Sequence, residues 1–148
     1  MNNDNTLQRS IKIHGPDAFQ AMRKAGRLAA EVLDYISPFV VGGVSTNELD
    51  KLCDDMTVAR GGISAPLGYR GYPKSICTSI NHVVCHGIPS DRRLETGDIV
   101  NIDVTVIVDG WHGDTSRMFY VGRPPAKARR LVEITYEAMM RGIEVCRP

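Results

Sequence analysis

The chain has 148 residues, with 18 Lys+Arg against 17 Asp+Glu and a formal net charge of +1. At 43% hydrophobic and 24% charged it has the composition of one ordinary globular domain, long enough to bury about two-thirds of its unfolded surface. The charge balance excludes a nucleic-acid protein that relies on phosphate neutralisation, no apolar run approaches the ~20 residues that span a bilayer, and the polar start MNNDNTLQRS lacks the apolar core of a secretory signal.

Residues 1–10 read as a disordered lead-in. His14-Gly15-Pro16-Asp17 marks a helix start, with proline in the first turn and an acid near the positive end. Phe19, Met22, Gly26, Ala29, Leu33 and Ile36 then recur in steps of three and four, which predicts one buried helical face ended by Pro38. Ser45 and Glu48 fit a capping box that opens a second helix, with Leu49, Leu52, Cys53 and Met56 inward and Gly61-Gly62 as its stop. The Gly/Pro/Tyr-punctuated residues 63–73 read as a loop. β-Branched residues predict a strand over 75–85, followed by a turn at 87–91. Residues 98–108 alternate, Asp109-Gly110 is a two-residue hairpin signal, and 111–121 returns. Pro124-Pro125 opens a last helix running toward Cys146, whose cluster of Lys127, Arg129 and Arg130 reads as a solvated face. The order ααβββα predicts a mixed α+β unit on an antiparallel sheet. Cys53, Cys77, Cys85 and Cys146 form no CxxC pair, which suits free thiols in a reducing cytoplasm.

The hairpin carries the first chemical signal. With Asp109-Gly110 as its loop, Asp103 faces Ser116 and Thr105 faces Asp114. Alternation then puts Asp103 and Asp114 on one face as diagonal neighbours, ~7–8 Å apart at the backbone, while Ile102, Val104 and Val106 point to the core. Two such acids repel unless a proton or cation lies between them, and carboxylates can bridge the ~3.5–4 Å of a two-metal site. The hairpin by itself fits a metal site and a solvated strand edge equally.

His86, before Gly87-Ile88-Pro89, is expected at a strand end, either as an imidazole offered to a substrate or as a rim residue. The His82/His86 spacing would ligate zinc from a helix, but in a strand it spans ~13 Å. A Cys85–His86 thiol dyad fails because adjacent strand residues point to opposite faces. His112 shares the parity of Asp114, and His14 reads as a pre-helix residue.

The segments GYRGYPKSICTSINHVVCHGIP and GDIVNIDVTVIVDGWHGDTSRMFYVG, with MRKAGRLAAEVLDYISPFVVGGVSTNELD before them, closely resemble the N-terminal half of type I methionine aminopeptidases. The resemblance runs from about Ile11 to Pro148. It implies an α/β pita-bread fold built from two pseudo-symmetric halves with a dinuclear metal centre between them. Residues 11–148 would be the N-terminal portion of one catalytic domain. By motif position, Asp103 and Asp114 would be metal ligands, Asp114 the bridging one, and His86 would contact the substrate at the scissile amide. Tyr69, Tyr72 and Cys77 would help line the pocket for the methionine side chain, while Pro66 and Arg70 occupy positions where relatives vary.

The implied activity is removal of the initiator methionine from nascent chains whose second residue is small, by attack of a metal-activated water. The implied cofactors are two divalent ions among Co, Mn, Fe and Zn. Carboxylate-rich ligation favours Mn, Fe or Co over a thiolate-type zinc site. The implied setting is cytoplasmic, near the ribosome, with the full-length enzyme a monomer that binds neither nucleic acid nor membrane. The family's centre also uses a His and two Glu from the second half, so the 148 residues alone are expected to be inactive. A non-catalytic pita-bread module that binds peptides and a proline-specific metallopeptidase are the alternatives.

Overall fold

The structure is a computed structural model that describes residues 11–147; the expected lead-in at 1–10 lies outside the described residues. Its elements are α1 (Pro16–Ile36), α2 (Thr46–Ala59), β1 (Ile63–Ser64), β2 (Cys77–Ile80), β3 (Ile99–Val108), β4 (Trp111–Tyr120) and α3 (Ala126–Glu144), with short 3₁₀ turns at Ser37–Phe39 and Tyr69–Gly71. The arrangement is the expected mixed α+β unit, with three helices and one antiparallel sheet. The one element beyond the expected order is β1, a two-residue pairing inside the punctuated loop.

β3 organises the sheet. Along one edge it pairs antiparallel with β4 through its whole length, in the register Val108↔Trp111, Thr105↔Asp114 and Asp103↔Ser116 that the hairpin loop dictates. The turn has the expected left-handed pair, Asp109 at φ 51° and Gly110 at φ 81°. β1 pairs with the C-terminal end of β3 (Ser64↔Val106), and β2 with its N-terminal half (Cys77↔Asp103, Ile80↔Val100). β3 is therefore interior to the sheet, and the solvated-edge reading of Asp103 is corrected.

The even-numbered side of β3 packs on the helices. Ile102, Val104 and Val106 are essentially inaccessible and meet Leu28, Val32, Leu33 and Ile36 of α1 and Leu49 and Cys53 of α2. The capping box holds α2 as expected, with Ser45 Oγ accepting from the Glu48 amide at 3.2 Å and the Ser45 amide donating to Glu48 Oε2 at 2.7 Å. α1 crosses β4 almost backbone to backbone: a methyl built on Gly113 would lie 2.2 Å from the Ala25 carbonyl oxygen.

Four expectations need correction. Phe19 and Met22, placed on the buried face by periodicity, are each 53% exposed. Burial of α1 begins at Ala25, where the helix meets Gly113; the preceding turns lie beside the hairpin tip, where Lys24 pairs with Asp109 at 2.6 Å. His14 is not a bare pre-helix residue, since its ring packs edge-on against Trp111 with centroids 5.3 Å apart. The strand expected over 75–85 is four residues long, because Asn81 turns left-handed at φ 52° and the chain leaves the sheet. Consequently His86 is in a loop rather than at a strand end, and the strand-geometry arguments about His82 and Cys85 do not apply.

α3 packs differently from the other helices. No residue described on it is buried, and Leu131, Ile134 and Ile143 remain 60%, 51% and 56% exposed. Lys127, Arg129 and Arg130 are exposed as expected, with Arg129 3.5 Å from Glu133. Among the described residues no helix is long and apolar enough to cross a membrane, and all four cysteines are free thiols.

Candidate metal centre and substrate cleft

The face of β3 and β4 turned away from α1 and α2 floors a cleft of about 770 Å³. Strand alternation puts Asp103 and Thr105 of β3 and His112 and Asp114 of β4 on that face. β2 adds Cys77 directly opposite Asp103. Between β1 and β2 the chain loops out to form a wall, with Pro66, Tyr69, Arg70 and Tyr72 facing the cleft, and His86 closes it from the loop after β2. All six residues singled out from the sequence, Asp103, Asp114, His86, Tyr69, Tyr72 and Cys77, thus line one cavity.

His82 instead lines a separate, smaller cavity of about 220 Å³ behind the His86 loop, with Asn81, Val83 and Thr78. His82 and His86 share no ion because they serve different cavities, not because a strand holds them apart.

The placement of His86 depends on its neighbour. Gly87 accepts from the Thr78 amide at 2.8 Å, donates its own amide to Ser79 Oγ at 3.2 Å, and its carbonyl accepts from the Tyr72 hydroxyl at 3.2 Å. These bonds tie the loop to β2 and to the cleft wall. His86 takes a left-handed backbone, φ 53°, to reach this anchor, a conformation a non-glycine residue holds only when its surroundings enforce it. Tyr72 also donates to the Ile76 carbonyl at 3.1 Å, and its burial holds the phenol well above its ordinary range, so it acts as a neutral donor.

Electrostatically the floor is under tension. Burial is the main cause that raises the Asp103 carboxyl above its usual range; Asp114 raises it further, and His86 partly offsets this. Thr105 Oγ1 donates to Asp114 Oδ1 at 3.2 Å and orients that carboxylate. Thr105 is a site residue that the sequence reading passed over, although its parity with Asp103 was available. Burial also raises the Cys77 thiol, keeping it protonated and apolar.

A raised carboxyl binds protons more readily folded than unfolded, so its contribution favours folding below the ordinary carboxylate range and is lost as pH rises through the folded value. Asp103→Asn should therefore raise the melting midpoint of the metal-free chain at pH 7, with the gap closing as pH falls toward about 3, below the reference aspartate value. Thermal melts at the two pH values read this directly. A destabilised Asn variant at pH 7 would instead make Asp103 a structural acceptor.

The donor set suits a hard or borderline divalent cation: Asp103 and Asp114 converge on one face, desolvated and mutually repelling, with imidazoles lining the same cleft. Among the described residues no cluster of three or more potential ligands forms, so the two aspartates fit as part of a coordination shell.

A sheet backed by two helices and fronted by paired carboxylates can present donors to a divalent cation, and the comparisons with known proteins give the family that carries it. The profile of metallopeptidase family M24 matches residues 20–148, and the chain belongs to that family. It is 61% identical over 139 residues to the methionine aminopeptidase of Rickettsia prowazekii, covering 94% of this chain and 54% of the relative. It is 56% identical over 141 residues to that of Escherichia coli K12, covering 94% and 53%. The crystal structure of the Rickettsia prowazekii enzyme superposes with a TM-score of 0.92 over 94% of this chain and 56% of that one. The Thermotoga maritima methionine aminopeptidase, 29% identical, superposes at 0.89 over 94% of this chain and 56% of that one. The chain spans about half the length of the curated relatives it matches.

Proposed function

We propose that residues 11–148 are the N-terminal portion of a methionine aminopeptidase catalytic domain and contribute half of its active site. The observation that carries this is the meeting of Asp103, Asp114, His86, Tyr69, Tyr72 and Cys77 in one cleft with a desolvated acid at its floor. Asp103 and Asp114 would hold divalent metal drawn from Co, Mn, Fe or Zn, and by its motif position Asp114 would be the ligand shared between two ions. Bound metal supplies Lewis acidity and a water of lowered pKa. His86, fixed by the Gly87 anchor, donates to or orients the scissile amide of the peptide. Tyr69, Tyr72 and the protonated Cys77 present ring faces and a soft, uncharged thiol to the unbranched thioether of an N-terminal methionine. The substrates are nascent polypeptides in the cytoplasm with a small second residue.

The exposed apolar side chains of α3 support a chain that packs on further polypeptide, and two aspartates are too few to hold two ions tightly. The 148-residue chain alone is therefore expected to release no methionine from Met-Ala-Ser with Mn²⁺ or Co²⁺. Fused to the part of the Rickettsia prowazekii enzyme that it does not match, it should do so. In that fusion His86→Ala should lower turnover by roughly 10²–10⁴-fold with metal content unchanged. An inactive fusion, or a His86→Ala variant that loses metal instead, would overturn the assignment.

A further inference from the structure

The rim of the cleft carries a charge opposite to its floor. Arg70 lines the cleft and is exposed, whereas Asp103 below it is half-buried. It supplies the one guanidinium or ammonium group among the cleft-lining residues. Among the described residues it makes no ion pair within 4.0 Å, although ten such pairs form elsewhere. Its guanidinium lies over the Tyr69 ring instead, 5.4 Å from the centroid.

The backbone that presents Arg70 is tightly built. The Tyr69 amide donates to Pro66 at 3.0 Å, the Gly71 amide to Gly68 at 3.2 Å, and the Gly68 amide to Tyr72 at 2.8 Å. Within this closed turn Arg70 is left-handed, at φ 48° and ψ 33°, between Gly68 and Gly71 at φ 82° and 83°. A side chain longer than glycine or asparagine costs energy in that conformation. The turn thus holds a cation at the mouth of an anionic cleft on a backbone that would favour a smaller residue.

We propose that Arg70 is a specificity-determining residue that selects peptides carrying a carboxylate side chain at their third residue. This rests on the aminopeptidase reading above. In that reading the N-terminal ammonium and scissile amide lie over the Asp103–Asp114 floor, and the small second residue follows. The third residue is the first whose side chain reaches the rim, where an acidic group meets the free guanidinium and a basic one is repelled. The cleft therefore matches a substrate positive at its leading end and negative at its third residue.

The test uses peptides Met-Ala-Xaa-Ser-amide with Glu, Gln or Lys at Xaa, whose amidated ends remove the terminal carboxylate as a source. Binding is followed in the fusion with the unmatched part of the Rickettsia prowazekii enzyme, as competition with Met-Ala-Ser turnover. The expected order is Glu over Gln over Lys, with Glu about two- to fivefold tighter than Gln, the range of one exposed ion pair. The preference should shrink in ~1 M salt, collapse in Arg70→Gln and persist in Arg70→Lys. An unchanged order in Arg70→Gln, or no order in the parent, overturns the proposal for Arg70 while the aminopeptidase reading stands. Failure of all three peptides to bind sinks that reading and this inference together.

Discussion

Alanine at Gly113 should unfold much of the chain, whereas alanine at Gly87 should leave the fold standing and displace His86. The added methyl meets backbone in both cases: at Gly113 it would lie 2.2 Å from the Ala25 carbonyl oxygen and 2.5 Å from the Gly26 nitrogen, and at Gly87 it would lie 2.1 Å from the Thr78 carbonyl oxygen. Backbone cannot rotate away as a side chain can. The consequences differ because the partners differ. Gly113 is where α1 closes on β4, and separating them strips cover from Val104 and Val106 in the core. Overpacking alone costs about 1–3 kcal/mol, and here core burial is lost as well, so Gly113→Ala should fall at or beyond the upper end in urea denaturation. Gly87 faces β2 from an exposed loop and carries no core side chain. Its alanine variant should keep the far-UV spectrum and unfolding midpoint close to the parent while the Thr78 amide, bonded to the Gly87 carbonyl at 2.8 Å, loses exchange protection. Near-parental stability of Gly113→Ala, or retained protection at Thr78 in Gly87→Ala, would contradict these packing assignments.

How far the molecule could be read from its sequence follows from the range of the interactions involved. The β3–β4 register was fixed by two residues, Asp109 and Gly110, because a two-residue loop leaves one pairing, and the shared face of Asp103 and Asp114 follows from it. The capping box of α2 is local in the same way. What escaped depends on distant partners. Cys77 is named through the family resemblance alone, and its place beside Asp103 comes from a pairing between strands 26 positions apart, which no local pattern encodes. The strand through 75–85 is cut at Ile80 because residues 81–88 are drawn back onto β2 by Gly87, leaving β-branched Val83 and Val84 exposed. Phe19 and Met22 keep the helical period, but periodicity says which side of a helix is apolar, not where the neighbouring sheet ends.

Loss of either floor carboxylate should have the largest effect on function. Asp103 is held above its ordinary range by burial and by Asp114, so the metal-free floor is electrostatically unfavourable at neutral pH, and a divalent cation relieves that cost. Asp103→Asn or Asp114→Asn removes both the repulsion and the anionic donor. The floor, left with one carboxylate, should then bind cation far more weakly, although the variants keep size, register and fold. Thr105→Val should weaken binding less, because it frees Asp114 to turn without removing its charge.

The most direct measurement of this metal site is paramagnetic broadening of the chain's NMR resonances by substoichiometric Mn²⁺. The account predicts loss of signal centred on Asp103, Thr105, His112, Asp114 and His86, the residues that share the cleft, and recovery of those signals in both asparagine variants. Broadening spread evenly over the acidic surface, or centred on the cleft to the same extent in Asp103→Asn and Asp114→Asn, would contradict it.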